Sequence, residues 1–160
     1  MKIVEYDKKH INTVKDLLSE LQEYLVKLDS RKVLVLKDDY RDRYFEYVTE
    51  DVKNNHGKIF IAENGNRAVG LVICKIYQGG GEQDITTACP KVGFISDLVV
   101  KETERGKGIG KLLISEAEKY FKSKACEYSQ LEVFAPNKNA FELYKKLGYG
   151  VLLQYMSKKI

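Results

Sequence analysis

Arg105-Gly106-Lys107-Gly108-Ile109-Gly110-Lys111 lies between an apolar run at residues 92–100 that reads as a strand and a run with helical periodicity. In the second run Ile109, Leu112, Leu113, Ala117, Tyr120 and Phe121 recur on one side of a helix. A turn of this kind bares several main-chain N–H groups at a helix N-terminus, where the helix dipole favours an anion. Glycine lets a phosphate approach that main chain with no Cβ in the way. Spacing then separates the known solutions. A P-loop needs Gly-x-x-x-x-Gly-Lys-Ser/Thr; counting back from Gly110-Lys111 puts Arg105 where the first glycine belongs, and Leu112 replaces the hydroxyl. A dinucleotide fingerprint, Gly-x-Gly-x-x-Gly, would need its third glycine at Lys111. Neither fits. The pattern Arg/Gln-x-x-Gly-x-Gly/Ala does, through Arg105, Gly108 and Gly110.

The elements around this turn follow from periodicity and turn chemistry. Upstream, residues 3–6 predict a short strand. Residues 10–28 predict a helix with Ile11, Val14, Leu17, Leu18, Leu21, Leu25 and Leu28 on one face, and residues 38–53 a second one. Residues 58–63 and 68–77 form a hairpin around Asn64-Gly65-Asn66, because Asn and Gly tolerate the positive φ of a tight turn. Gln78-Gly-Gly-Gly-Glu-Gln-Asp84 is a loop by composition. Downstream, residues 129–134 predict a strand. Pro136-Asn137 opens a last helix on which Phe141, Tyr144 and Leu147 share a face, with Gly148 as its C-terminal cap. Residues 151–156 predict a final strand. Hairpins first and a strand-helix-strand unit later make an α/β chain, with an α+β mixed sheet whose clear parallel crossover lies between residues 92 and 134.

Composition bounds the function classes. The 160 residues, 44% hydrophobic and 31% charged, suit one domain with one core spanning 1–160, and argue against disorder. No apolar run has the roughly twenty residues of a bilayer span, and the N-terminal residues meet charge too early for a signal peptide. No membrane partner is expected, and a cytoplasmic location is. With 27 basic against 23 acidic residues the net charge is +4, spread without the basic stripe of a nucleic-acid binder, so no nucleic acid is expected. A small polyanion needs only a few well-placed cations. Cys74, Cys89 and Cys126 form no CxxC pair, and His10 and His56 are the two histidines, so no metal site is expected.

Together with Phe94-Ile-Ser-Asp-Leu-Val-Val100 and the downstream Asn137-x-x-Ala140-x-x-x-Tyr144-x-x-x-Gly148-Tyr149, the glycine turn resembles the GNAT superfamily of N-acetyltransferases. The resemblance is specific over about residues 92–150. It implies a GNAT-type fold: a mostly antiparallel sheet of six to seven strands, a parallel fourth and fifth strand that splay apart, and four flanking helices. It also implies acetyl-coenzyme A as cosubstrate, direct attack by an amine in a ternary complex, and a homodimer as a family-level expectation. Backbone groups of Leu98, Val99 and Val100 would pair with the pantetheine arm. The Leu98 N–H would bond the thioester oxygen, gaining value as that oxygen acquires charge. N–H groups of Arg105, Gly106, Lys107, Gly108, Ile109, Gly110 and Lys111 would hold the pyrophosphate. Lys107, Lys111 and Lys145 either add charge there or are solvated surface lysines.

Tyr144 matches the position whose hydroxyl protonates the departing thiolate; its other reading is a core tyrosine beside Phe141 and Leu147. Asn137 would bond the cofactor or cap its helix, and Ala140 lies on the same motif. For the base, the fourth strand offers Ser96 and Asp97 on opposite faces, and Asp97 either takes the amine proton, binds the ammonium, or is structural. Acceptor specificity would come from the first two helices and the loop after the third strand. There Tyr40, Tyr44 and Tyr47, with Asp38, Asp39, Asp42, Glu46, Glu82 and Asp84, suit a cationic amine or form an ordinary amphipathic face. A small-molecule amine is the first expectation. A protein or peptide amine, and a non-catalytic acyl-coenzyme A binding module, are the alternatives.

Overall fold

Runs apolar at every position, rather than at every second one, mark strands covered on both faces. Ile59-Phe60-Ile61-Ala62 and Leu71-Val72-Ile73-Cys74 are such runs, and each is buried throughout. The computed structural model describes residues 1–78 and 88–160. Five strands, β1 (Lys2–Glu5), β2 (Lys58–Asn64), β3 (Arg67–Tyr77), β4 (Val92–Val100) and β5 (Tyr128–Leu131), form one sheet in sequence order. The first three pairings are antiparallel and β4–β5 is parallel, as the late crossover predicts. Helices α1 (Ile11–Leu28) and α2 (Tyr40–Asn54) precede the hairpin; α3 (Ile109–Ser123) and α4 (Lys138–Lys146) flank β5 in sequence.

The sheet divides the core in two. Ile59, Ile61, Leu71, Ile73 and Val99 meet Val14, Leu17, Leu18, Phe45 and Val48 of α1 and α2. Phe60, Ala62, Val72, Cys74 and Ile95 meet Ile109, Leu113, Ile114, Ala117 and Phe121 of α3, with Tyr144 of α4. At Gly93 α3 packs tightly against the sheet: a Cβ there would lie 2.1 Å from the Phe121 ring. The α1–α2 connection is organised by the buried Asp29. Its carboxylate accepts the N–H groups of Val33 and Leu34 at 2.8 and 2.9 Å, as well as Arg31 N and Nε. Those bonds, that of Leu34 first, hold the Asp29 pKa down at about 2 despite burial.

Three expectations change. The sheet has five strands among the described residues, not six to seven. Residues 151–156, expected as a strand, form no regular element, are exposed and pair with nothing described. The strand expected at 129–134 is Tyr128–Leu131 and stops early, because β4 leaves it. The loop expected at 78–84, with Glu82 and Asp84, lies outside the described residues from residue 79 onward.

Candidate active site

The glycine turn enters α3 through two positive-φ glycines, Gly106 at 77° and Gly108 at 79°. A side chain would be strained at either position, yet a Cβ there would meet nothing within 4 Å. The turn is therefore open to something outside it. Arg105 N–H bonds Glu102 O and Leu112 N–H bonds Gly108 O, but the N–H groups of residues 106–111 between them find no acceptor among the described residues. Several orphan donors around a helix N-terminus are the chemistry of a diphosphate cradle. Gly110 brings that cradle against the other parts of the site: a Cβ on it would lie 3.3 Å from Leu143 of α4 and 4.0 Å from Leu98 of β4.

Next to the turn, β4 and β5 separate. Their pairing runs from Val92↔Tyr128 to Ile95↔Leu131 and ends there. On the opposite edge β4 stays on β3, with Ile73 facing Asp97 and Cys74 facing Ile95, so Ser96 is an extra residue, a bulge. The bulge puts Ile95 and Leu98 on the α3 side while Asp97 and Val99 face α1 and α2. Backbone groups alternate between the two edges of a strand. Lys101 N–H bonds Val69 O on β3, so Val100 and Leu98 turn their groups toward the edge that β5 has left. Val100 O indeed accepts Arg105 Nε at 3.1 Å. Val99 sits between them with its carbonyl against β3 at Gly70, so its main chain faces away from the slot.

Tyr144 and Asp97 are both buried. The Tyr144 hydroxyl has no hydrogen-bond partner among the described residues, and burial first, then the Asp97 charge, raises its pKa to about 12. Asp97 Oδ1 accepts the Tyr44 hydroxyl at 2.9 Å. Burial raises the Asp97 pKa, opposed by hydrogen bonds from Ser96 and Tyr44 and by the Lys75 charge. Tyr40 stacks on Tyr44 at 4.9 Å, and the hydroxyl pKa of each is raised by burial and then by Asp97. One buried carboxylate thus influences tyrosines from both sides of the sheet. An open glycine turn with N–H groups lacking acceptors among the described residues, a strand edge with unpaired main chain, a buried tyrosine and a buried carboxylate lie on the elements around the point where β4 and β5 part.

Comparison with known proteins agrees with this geometry. The sequence model described as Acetyltransferase (GNAT) family matches residues 15–149. The chain belongs to the GNAT acetyltransferase family. An N-alpha-acetyltransferase of Arabidopsis thaliana is 33% identical over 107 residues, 67% of this chain and 49% of that protein. The chain spans about half the length of the curated relatives it matches. A protein of Bacillus halodurans of known crystal structure has the same fold, with TM-score 0.88 at 22% identity over the whole of both chains. An aminoglycoside N-acetyltransferase, AAC(6')-Iy, solved in complex with CoA, gives TM-score 0.75 at 18% identity over 99% of this chain and 93% of that one.

In this GNAT chain the other expected residues fall into two groups. Asn137 caps α4, its Oδ1 accepting Ala140 N–H at 3.2 Å, and Ala140 packs on the α3-side core. Lys107 pairs with Glu104 at 2.9 Å on the surface, and Lys111 and Lys145 are exposed. Asp42 of α2 pairs with Lys15 and Arg41, and Asp39, just before α2, with Arg43; these acids serve the surface and not the slot. Tyr47 stacks on Tyr44 at 6.1 Å but is largely exposed. Sequence reasoning missed Tyr24, whose ring lies under the Arg105 guanidinium at 5.0 Å and whose hydroxyl reaches Asn137 Oδ1 at 3.5 Å. It also missed the ion pair of Lys75 with Asp51. Both join elements far apart in sequence, and no local spacing announces them.

Proposed function

We propose that the chain is an acetyl-coenzyme A-dependent N-acetyltransferase acting on the primary amine of a small, cationic acceptor. The observation that carries this reading is the run of N–H groups at residues 106–111 with no acceptor among the described residues, beside the open edge of β4. The residues present suit the cosubstrate: the turn offers donors for its diphosphate, and the Leu98 and Val100 main chain offers a strand edge to its pantetheine arm. Acetyl-coenzyme A supplies the activated acyl group as a thioester. The chain does the rest. The Leu98 N–H holds the carbonyl oxygen as charge gathers on it. Asp97, a carboxylate whose basicity burial has increased, takes the proton of the incoming ammonium directly or through water. Tyr144 stays protonated through the neutral range and holds a hydroxyl proton for the thiolate. Tyr40 and Tyr44, beside the Asp97 carboxylate, suit a positively charged acceptor.

Relatives named N-alpha-acetyltransferases favour a second reading, in which the acceptor is the α-amine of a peptide or protein. Free-thiol release measured across polyamines, aminoglycosides, amino acids and peptides with free N-termini separates the two. In Tyr144→Phe, kcat falls by roughly 10²-fold or more while acetyl-coenzyme A affinity is retained. Undiminished turnover in that variant removes Tyr144 from the chemistry. A wild-type protein that binds the cosubstrate but releases no thiol with any acceptor is a binding module instead.

A further inference from the structure

Lysine is seldom buried, yet Lys75 of β3 is only 8% exposed. Its ammonium donates to Asp51 Oδ2 of α2 and lies 5.5 Å from the centre of the Tyr77 ring and 5.8 Å from that of Phe94. The ion pair is locked from behind. Asn55 Nδ2 donates to Asp51 Oδ1 at 2.7 Å, and Asn55 O accepts the Ile76 N–H at 2.9 Å, which ties the end of α2 to the strand beside Lys75. Burial works against the ammonium, but the bond to Asp51 outweighs it, so the Lys75 pKa is raised and the charge persists through the neutral range. A buried ion pair often holds a fold no better than apolar side chains of the same volume. Cohesion alone therefore does not account for one here.

The register places this charge near Asp97. Ile73 faces Asp97 across the β3–β4 ladder and Lys75 is two residues on from Ile73, so all three side chains rise on the α1–α2 face. Two residues of strand span roughly 7 Å. Asp51 follows Tyr44 by about two turns of α2, so one side of that helix brings the tyrosine to Asp97 and the carboxylate to Lys75. Around Asp97 stand the Ser96 hydroxyl of its own strand, Tyr40 and Tyr44 from α2, Tyr144 from α4, and Lys75 of β3 with Asp51 behind it. From α1 this face of the sheet receives the apolar Val14, Leu17 and Leu18. Of the groups named, Lys75 alone carries a positive charge. Its attraction opposes the burial that disfavours the Asp97 carboxylate, and the Asp51 charge partly cancels it. We infer, taking Asp97 as the proton acceptor, that Lys75 is a positioning residue for the transfer: its ammonium, held by Asp51, keeps Asp97 in the charged form that receives the amine proton.

The test is kcat against pH, with the Asp97 carboxyl titrated by carbon-13 NMR, in the wild type, Lys75→Met and Asp51→Asn. Lys75→Met keeps an unbranched side chain and removes the positive charge. The acid limb and the carboxyl titration then both move to higher pH, and kcat on the limb falls by roughly 3- to 10-fold. Asp51→Asn keeps an acceptor for the ammonium and removes the opposing charge, so both move to lower pH. Lys75→Arg keeps the charge and the wild-type limb. An ion pair that merely fastened α2 to the sheet would lower Tm in the first two variants and move neither titration. A carboxyl titration that stays put, or that moves the same way in Lys75→Met and Asp51→Asn, overturns the inference. A titration that moves beneath an unmoved limb instead removes Asp97 as the proton acceptor, and the part of Lys75 in the transfer falls with it.

Discussion

Asp97 is the residue at which stability and the proposed chemistry pull in opposite directions. Burial raises its pKa, so the fold tolerates the protonated carboxyl better than the carboxylate. Its contribution to stability is therefore complete at low pH and is lost as pH climbs through the raised value. A proton acceptor needs the opposite form, so turnover rises over that same pH interval. The acid limb of kcat should accordingly sit above the ordinary carboxylate range, near pH 4. Asp97→Asn keeps an oxygen for the Tyr44 hydroxyl and discards the charge. It should raise Tm at neutral pH, abolish the acid limb, and lower kcat by roughly 10²- to 10⁴-fold. Thermal melts and a pH–rate profile on the same two proteins check all three; an acid limb that survives the substitution belongs to another group.

The elements explain why that residue points where it does. A regular β4 would alternate from Ile95 to Asp97 on one face, and the carboxylate would enter the α3-side core. The bulge at Ser96 switches the alternation, and it sits where β5 leaves, so one irregularity both aims the carboxylate and frees the strand edge. Nothing in Ile95-Ser96-Asp97 announces it, since a bulge is a property of the pairing with β3. The helices, the hairpin at Asn64-Gly65 and the glycine entry to α3 were legible because each is a local pattern of spacing or allowed φ. Residues 151–156 have an equally good strand pattern, but a strand needs a partner, and pattern alone does not supply one. Tyr24 and Lys75 escaped notice for the same reason: their partners are remote in sequence. Gly93 makes the packing of α3 on β4 testable. In Gly93→Ala the added methyl must displace the Phe121 ring, at a cost of about 1–3 kcal/mol. Denaturant unfolding should show that loss, and an unchanged midpoint would mean α3 does not rest on β4 as described.

At the scale of the whole molecule, a ligand that binds only the folded chain must stabilise it, and the size of that effect follows from linkage. Acetyl-coenzyme A at about 100 times its Kd adds about 2.7 kcal/mol. For a chain of this length each kcal/mol is worth roughly 2–4 °C, so Tm should rise by roughly 5–11 °C. The net charge of +4 supplies only a weak general attraction for a polyanion, so the shift should depend on the cradle rather than on bulk electrostatics. Gly108→Ala isolates the cradle. Its methyl meets no atom within 4 Å, but φ of +79° is strained for alanine. The unliganded variant should lose about 1 kcal/mol, a few degrees, as the turn either bears the strain or relaxes toward negative φ. Relaxation turns the orphan N–H groups away from a common point, and the ligand-induced shift should then collapse. Both proteins must be melted at one ligand concentration, because the ligand-induced shift depends on ligand concentration relative to Kd. If Gly108→Ala keeps the full shift, the diphosphate is held by side chains elsewhere and not by the main chain of this turn.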